Sequence, residues 1–267
     1  MKQGLEKRVS LNNKQELPLI GLGTYLLMER EAEEVVYAAL MKGYRLIDSA
    51  AMYGNEAAVG RAVRRAVENG IPREEISVVT KNWKTDMGYE KALEAFEKSA
   101  QQLKLDVIDL LLLIHWPDAS NEVNIATWKA LEELYYGGKV KSIGVSNFNE
   151  EQLRYLFKWG DIKPAVNQFS SSPGNSQEDL RFFCEQETIR VMAYSPIQRG
   201  RILEDQDIRH LAEKYHKTPA QIALRWNLQR GVIPIPKTAS IDRLEENKDL
   251  FDFALTKVEM TLLLNKT

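Results

Sequence analysis

The sequence predicts an α/β fold, a (β/α)8 barrel of the TIM type that forms a single domain over residues 1–267. Short apolar, β-branched runs alternate with charged segments of helical period along the whole chain, which is the pattern of repeated βα units around a parallel sheet. Eight such runs can be counted, and eight strands fit a closed barrel better than an open sheet. The length would allow two domains, but one barrel of this kind commonly occupies about 250 residues.

The predicted strands alternate with the predicted helices. Strands are expected at residues 19–23, 44–47, 76–80, 107–114, 140–145, 165–168, 190–193 and 232–235. Helices are expected at residues 31–41, 55–68, 89–103, 127–136, 150–158 and 176–187, followed by a pair divided at Thr218 and Pro219. Gly43, Gly70 and Gly137 follow three of these helices, where a left-handed cap is expected. Thr218 is a suitable N-cap before a proline in the first turn.

A hairpin is expected ahead of the first barrel strand. Residues 8–11 alternate polar and apolar side chains, and Asn12 and Asn13 follow as turn residues. Alternation that ends in such a turn is typical of paired strands. We therefore expect a short hairpin that plugs the floor of the barrel.

Composition and charge describe an ordinary soluble globular protein. Apolar residues make up 44% of the chain, charged residues 28%, and the net charge is -2, so nothing indicates nucleic-acid binding. Cys184 is the one cysteine, which excludes an intrachain disulfide and makes the cytoplasm the default expectation. The first residues lack the apolar stretch expected of a signal peptide, and no run approaches the roughly 20 apolar residues needed to span a membrane. His115, His210 and His216 lack metal-ligand spacing, so no metal is expected.

Four polar residues stand at or just beyond the ends of three predicted strands. Asp48, Lys81 and His115 each end an apolar run, and Tyr53 follows Asp48 by five residues. In a parallel βα barrel the carboxyl ends of all strands gather on one face, where barrel enzymes keep their sites. The four side chains are therefore expected to converge.

Their chemistry suits the reduction of a carbonyl group. A phenol such as Tyr53, with a pKa of about 10, is a weak acid near neutral pH. We expect the Lys81 ammonium to lower that pKa, Asp48 to hold Lys81, and His115 to orient the carbonyl oxygen. Taken singly, each residue also has a structural explanation as a solvated ion pair, a packed ring or a buried histidine. The combination of all four favours a catalytic site.

Five segments give the chain a resemblance to the aldo-keto reductases. In order they are GLGT (21–24), GYRLIDSA (43–50) with YGNE (53–56), LIHWP (113–117), GVSNF (144–148) and IPKT (235–238). The resemblance implies the same (β/α)8 barrel, with the catalytic tetrad at Asp48, Tyr53, Lys81 and His115. It also implies reduction of aldehydes or ketones to alcohols with NADPH as the hydride donor.

The resemblance implies NADP(H) bound in an extended pose without a Rossmann fold. Ser146, Asn147 and Gln168 would hold the nicotinamide carboxamide, and Tyr194 would stack on the ring. Residues 195–198 would follow the pyrophosphate, with the adenosine 2′-phosphate and the adenine beyond them. The implied cofactor-binding residues are Gly23, Thr24, Tyr25, Asp48, Ser146, Asn147, Gln168, Tyr194, Ser195, Pro196, Ile197, Gln198, Lys237, Thr238, Arg243, Glu246 and Asn247.

The phosphate end of this set also makes physical sense. Lys237, Thr238 and Arg243 resemble the residues that hold the 2′-phosphate, and Glu246 and Asn247 those at the adenine. A dianionic phosphate favours a lysine, a hydroxyl and an arginine near a helix start. A solvated basic helix face is the alternative explanation for Arg243 alone.

The substrate end departs from the family pattern. Tyr25 stands where relatives often carry Trp, and residues 170–173 (SSSP) replace a Glu-x-His-Pro stretch, both near the expected substrate mouth. The expected substrate-lining residues are Tyr25, Trp83, His115 and Trp116, with Phe148 beside them. A small-molecule carbonyl substrate, broad substrate tolerance and a monomer are expected. The alternative is a non-catalytic NADP(H)-binding or cofactor-sensing protein on the same scaffold.

Overall fold

The computed structural model describes residues 6–113, Pro117 and residues 120–266. A two-stranded antiparallel hairpin precedes a main sheet of eight parallel strands. The hairpin strands are β1 (Arg8–Ser10) and β2 (Glu16–Pro18). The main sheet contains β3 (Leu22–Gly23), β4 (Leu46–Asp48), β5 (Ser77–Lys81), β6 (Leu110–Leu113), β7 (Ile143–Ser146), β8 (Val166–Ser170), β9 (Arg190–Tyr194) and β10 (Val232–Pro234).

The main sheet closes on itself. Strands β3 to β10 pair in chain order, and the backbone N–H groups of Gly21 and Gly23 donate to the carbonyls of Pro234 and Pro236 at 3.1 Å each. A Cβ atom at Gly23 would lie only 3.0 Å from the Ile235 carbonyl oxygen, so the close approach at this seam requires glycine. The predicted barrel of eight strands is confirmed.

Helices surround the barrel. They are α1 (Glu29–Met41), α2 (Glu56–Glu68), α3 (Tyr89–Leu103), α4 (Asn121–Tyr136), α5 (Glu150–Trp159), α6 (Glu178–Gln186), α7 (Gln206–Tyr215), α8 (Pro219–Gln229), α9 (Ile241–Lys248) and α10 (Lys257–Leu264). The first six were predicted with bounds that differ by up to six residues, and α7 and α8 form the predicted pair divided at Thr218 and Pro219. Helices α9 and α10 were not predicted as elements.

The predicted helix caps are confirmed in part. Gly43 and Gly70 take left-handed conformations with φ of 99° and 95°. Gly137 does not: its φ is -73°, and the left-handed residue is Gly138, with φ of 67°. The reason is that the Gly137 N–H still completes a helical hydrogen bond to the Glu133 carbonyl, at 2.8 Å. The chain therefore leaves α4 one residue later than expected.

The start of α8 follows the prediction. Thr218 accepts a hydrogen bond from the backbone N–H of Gln221, and the Gln221 side chain accepts one from the Thr218 N–H. Pro219 occupies the first turn, where a missing N–H has no consequence.

The floor of the barrel is closed by the hairpin, as predicted. Leu11 and Leu17 are buried against a cluster of inward-facing strand residues. This interior cluster consists of Leu46, Val79, Leu110, Ala165, Val166, Met192, Ile233 and Ile235. The side-chain amides of Asn12 and Asn13 donate to the carbonyls of Pro164 and Lys141 at 2.9 and 3.0 Å, which fixes the hairpin turn to the loops below the sheet.

Candidate active site

A buried ion pair lies at the carboxyl ends of two neighbouring strands. Asp48 ends β4 and Lys81 ends β5. The Lys81 ammonium donates to both carboxylate oxygens of Asp48 at 2.8 Å and to the Ser49 carbonyl at 2.7 Å. An ammonium has three N–H donors, so these contacts commit all of them. Lys81 therefore acts on its surroundings through its charge and is held in one position.

Tyr53 lies beside this pair. It ends a short 3-10 turn, Ala51–Tyr53, that follows β4 and is terminated by Gly54 in a left-handed conformation. The Lys81 ammonium is 5.2 Å from the centroid of the Tyr53 ring, and the Tyr25 ring packs against the Tyr53 ring with the two centroids 5.1 Å apart. Three of the four predicted catalytic side chains thus converge. His115 and Trp116 lie outside the described residues.

The protonation of Tyr53 differs from the prediction. Burial raises the pKa of Tyr53 well above its ordinary value, and the negative charge of Asp48 raises it further. The expected net lowering of this pKa is therefore not found, because burial of the phenol and the Asp48 charge dominate. Tyr53 consequently carries its proton throughout the physiological pH range. That is the form required of a proton donor. That the Lys81 ammonium favours the phenolate stays a prediction.

Lys81 experiences opposing influences. Burial lowers the pKa of Lys81, whereas the charge and hydrogen bonds of Asp48 raise it. The side chains of Lys81 and Asp48 are 0% and 3% exposed, so water contributes little to either charge. The ammonium form therefore depends on its carboxylate neighbours.

The residues predicted at the nicotinamide lie against the ion pair. The Gln168 side-chain amide donates to Asp48 Oδ1 at 2.8 Å, and the Ser146 hydroxyl and Asn147 N–H both donate to the Gln168 carbonyl at 2.9 Å. The Tyr194 hydroxyl donates to Asn147 Oδ1 at 2.9 Å. Asn147 is left-handed, with φ of 59°. The ends of β7, β8 and β9 thus form one polar surface with Asp48.

The loop after β9 has an unusual backbone. Ser195, Gln198 and Arg199 have φ of 49°, 48° and 54°, a conformation that non-glycine residues rarely adopt. Pro196 and Ile197 lie between them, so the segment predicted to follow the pyrophosphate is the strained one. Such strain is concentrated at functional sites, where the surrounding structure imposes it. Arg199, an exposed cation that directly follows the predicted segment, was not singled out because a lone arginine has no distinguishing sequence pattern.

The predicted phosphate site lies at the end of the barrel seam. Lys237 pairs with Gly23 across the seam and is exposed, and Thr238 is buried beside it. Helix α9 begins next, with the Ser240 hydroxyl accepting from the Arg243 N–H at 3.5 Å. Exposed lysine and arginine side chains therefore flank a helix start, which suits an anionic group.

The two residues predicted at the adenine have different surroundings. Asn247 is buried in α9, while the Glu246 carboxylate accepts a hydrogen bond of 2.6 Å from the Thr218 hydroxyl at the cap of α8. Glu246 therefore has a structural contact in addition to its predicted role.

A buried asparagine fixes the loop that carries Tyr25. The Asn55 side-chain amide donates to the carbonyls of Thr24 and Leu27 at 2.8 Å each, and Thr24 in turn donates its hydroxyl to the Asp48 carbonyl at 2.9 Å. Asn55 belonged to a recognised motif, but its partners are distant in sequence. Sequence reasoning therefore gave it no role.

The substrate side of the site differs from the prediction at two places. Tyr25 is 39% exposed and Trp83 is half-buried, so both are accessible from the mouth. Phe148 is not: it is buried in the layer between strands and helices, so its expected place beside the substrate is wrong. Ser171 and Ser172 are also fully buried: the Ser171 hydroxyl donates to Asn227 on α8, and the Ser172 hydroxyl accepts from the Gln198 amide in the loop after β9.

Two further findings bear on the class of protein. The described residues contain no group of three or more His, Cys, Asp or Glu side chains that could hold a metal ion. Across the same part of the chain, every helix is too short or too polar to span a bilayer.

The sequence profile of the Aldo/keto reductase family matches residues 19–266, and the chain belongs to that family. Membership makes it an oxidoreductase that acts on carbonyl groups. The chain is 44% identical over 261 residues to glyoxal reductase of Bacillus subtilis, which covers 97% of this chain and 92% of the relative. It is 44% identical over 256 residues to 9,11-endoperoxide prostaglandin H2 reductase of Trypanosoma cruzi, covering 94% and 88% of the two chains.

Solved structures agree with this assignment. An aldo/keto reductase from Brucella melitensis is 41% identical with a TM-score of 0.91, covering 97% of this chain and 98% of the other. A Bombyx mori aldo-keto reductase, solved in complex with NADP, is 37% identical with a TM-score of 0.90, covering 97% and 92%.

Proposed function

We propose that this protein catalyses the NADPH-dependent reduction of aldehydes or ketones to alcohols. The observation that carries the proposal is the Tyr53 phenol packed beside the buried Lys81–Asp48 pair at the carboxyl end of the barrel. Family membership supports the reaction class, and the NADP complex of the Bombyx mori relative supports the cofactor.

Each residue of the site has a defined task in that reaction. NADPH, when bound, supplies a hydride to the carbonyl carbon. As negative charge develops on the carbonyl oxygen, the Tyr53 hydroxyl donates its proton to that oxygen and becomes a phenolate. The Lys81 ammonium, held by Asp48, stabilises the phenolate until water returns the proton. His115 stays the predicted donor that orients the carbonyl.

The polar surface at the ends of β7 to β9 fits the nicotinamide end of the cofactor. Ser146, Asn147 and Gln168 present hydroxyl and amide groups next to Asp48, and Tyr194 holds the Asn147 side chain in place. At the other end, exposed cations at the start of α9 fit the 2′-phosphate. We therefore propose the predicted residues of both ends as the NADP(H) site.

A purely cofactor-sensing protein is the less favoured reading. Removing a charged lysine and a charged aspartate from water costs on the order of several kcal/mol for each ion. A protein that only binds the cofactor has no need of a proton donor beside such a pair. The arrangement of Tyr53, Lys81 and Asp48 therefore favours catalysis.

The test is replacement of the proton donor. With NADPH and an aromatic aldehyde, we expect Tyr53→Phe to lower kcat by ~10²- to 10⁴-fold, because the phenol has lost its acidic proton. NADPH consumption is followed by absorbance. Tyr215→Phe is a matched control, since its hydroxyl contacts Glu259 on the outer wall. Unchanged turnover by Tyr53→Phe would contradict the proposal.

Substrate class is the open part of the proposal. We propose broad tolerance for aldehydes and ketones, supported by the exposed Tyr25, Leu26 and Met28 side chains at the mouth. A panel that includes glyoxal, aromatic aldehydes, ketones and keto sugars, run with NADPH and NADH, tests it; turnover of one compound alone would contradict it. The monomeric state and the cytoplasmic location stay predictions.

A further inference from the structure

A second buried carboxylate lies close to the proposed site and has no role in the mechanism above. Glu56, in the first turn of α2, is 6% exposed. The Thr80 hydroxyl donates to Glu56 Oε1 at 2.5 Å, and the Ser99 hydroxyl donates to Oε2 at 3.1 Å. Both carboxylate oxygens thus accept hydrogen bonds, and a helix start favours negative charge. Burial raises the pKa of Glu56, and the hydrogen bonds from Thr80 and Ser99 and the charge of Lys81 oppose that rise.

The position of Glu56 relates it to Lys81. Thr80 and Lys81 are consecutive in β5, so their side chains lie on opposite faces of the sheet. Thr80 faces α2 and α3, where it meets Glu56, while Lys81 faces Asp48. The end of β5 is therefore held on one face by the contact of Lys81 with Asp48 and on the other by the contact of Thr80 with Glu56.

We propose that Glu56 is a positioning residue for Lys81: its negative charge behind β5 keeps the ammonium protonated, and its hydrogen bonds fix the strand end that carries Lys81. The inference rests on the proposed reductase function. It assigns Glu56 no contact with substrate or cofactor.

The charges around Lys81 determine the direction in which loss of the Glu56 charge shifts the pKa of Lys81. Among the described residues, the titratable groups that face Lys81 are Asp48 on β4, Tyr53 in the following turn and Glu56 on α2. Burial lowers the pKa of Lys81, and Asp48 and then Glu56 raise it. Removing the negative charge of Glu56 makes the proton of Lys81 easier to lose. Activity should then fall at lower pH.

The experiment compares Glu56→Gln with Glu132→Gln in the full chain. Glu132 is another buried carboxylate, on α4, and it accepts hydrogen bonds from the N–H groups of Asp161 and Ile162. The pH dependence of kcat/KM for aldehyde reduction is measured for the wild type and both variants. We expect the alkaline limb to move down by about one pH unit in Glu56→Gln and to stay in place in Glu132→Gln.

Ser99→Ala provides a second, milder variant. Loss of one hydroxyl donor weakens the stabilisation of the Glu56 charge, so the alkaline limb should move in the same direction by a smaller amount. If Glu56→Gln does not fold, as judged by circular dichroism, this variant decides the question. An alkaline limb at the wild-type position in a folded Glu56→Gln, or in Ser99→Ala where Glu56→Gln does not fold, overturns the proposal.

The experiment distinguishes failure of the proposed reductase function from failure of the inference about Glu56. A wild-type protein that does not oxidise NADPH with any carbonyl compound contradicts the reductase function itself. An active wild type whose pH profile is insensitive to Glu56 contradicts only the inference about Glu56.

Discussion

The two ends of the barrel hold their charged residues in different environments. At the carboxyl end, the Lys81 and Asp48 side chains are 0% and 3% exposed. At the amino end, Asp109 pairs with Arg73 and Lys141 at 2.8 Å each, but those basic side chains are 30% and 36% exposed. The geometry of the pairs is alike, whereas their access to water is not.

This difference shows which end of the barrel contains features that lower the stability of the fold. The floor combines an apolar plug with ion pairs that keep contact with water, both of which are inexpensive to form. The mouth contains a desolvated ion pair, a buried tyrosine and left-handed non-glycine residues such as Asn147 and Ser195. Each of these features is unfavourable for folding and useful for chemistry. The floor therefore contributes to stability, whereas the features of the mouth reduce it.

The same substitution at the two ends tests this contrast most strongly. Lys81→Met leaves the Asp48 charge buried and unpaired, so we expect a loss of about 3–5 kcal/mol in the free energy of unfolding. Lys141→Met leaves Asp109 paired with Arg73, and about 1 kcal/mol or less should be lost. Urea denaturation of both variants measures the difference. Equal losses would show that burial of the mouth pair does not matter to stability.

The apolar plug tests the floor alone. Leu17→Ala removes a buried side chain beneath the interior cluster, and we expect it to cost about 2–5 kcal/mol of unfolding free energy. Because the plug is remote from Tyr53, kcat should be unchanged at temperatures where the variant is folded. Thermal unfolding and aldehyde reduction are measured on the same preparation. A lowered kcat in the folded variant would mean that the floor also shapes the mouth.

Replacement of Glu259, a carboxylate on the outer wall, is expected to have the smallest effect on stability. The pKa of Glu259 is lowered, whereas that of Tyr53 is raised. Burial tends to raise the pKa of Glu259, but hydrogen bonds from Lys214, Tyr215 and Thr256 outweigh it and lower the pKa to about 2. A lowered pKa stabilises the folded state above the unfolded pKa, and that contribution is lost as pH falls. We expect Glu259→Gln to cost about 1–3 kcal/mol near neutral pH.

The pH series checks that sign. Unfolding free energies of the wild type and Glu259→Gln are measured by urea denaturation from pH 7 downward. The difference should shrink as pH falls from about 4.5 toward 2, the interval between the unfolded and folded pKa values. A difference that is constant with pH would mean that Glu259 acts by shape rather than by charge.

Much of the fold could be predicted because its signals are local. The strands appear as apolar runs, and the hairpin appears as an alternation before Asn12 and Asn13. A helix start was expected near Arg243, but α9 was given no bounds because it buries only Leu244 and Asn247 and so has no apolar stripe. The cap of α4 was misplaced by one residue because a single helical hydrogen bond decides it.

The candidate site could be predicted less completely. Asp48, Tyr53 and Lys81 were expected to meet, and they do. Phe148 was expected at the mouth, but its ring is buried in the core. Asn55 has partners in a loop that lies 28 and 31 residues away, which no local pattern reveals.

The sequence by itself determined that the chain forms a parallel barrel and that its acidic, basic and phenolic groups meet at one end. Strand period and strand direction are sufficient for that conclusion, since both are properties of short segments. Only the tertiary structure decided that the pKa of Tyr53 is raised, that Lys81 has all its N–H groups committed, and that Glu56 lies behind β5. Those properties depend on desolvation, which is set by the distant residues that cover each side chain.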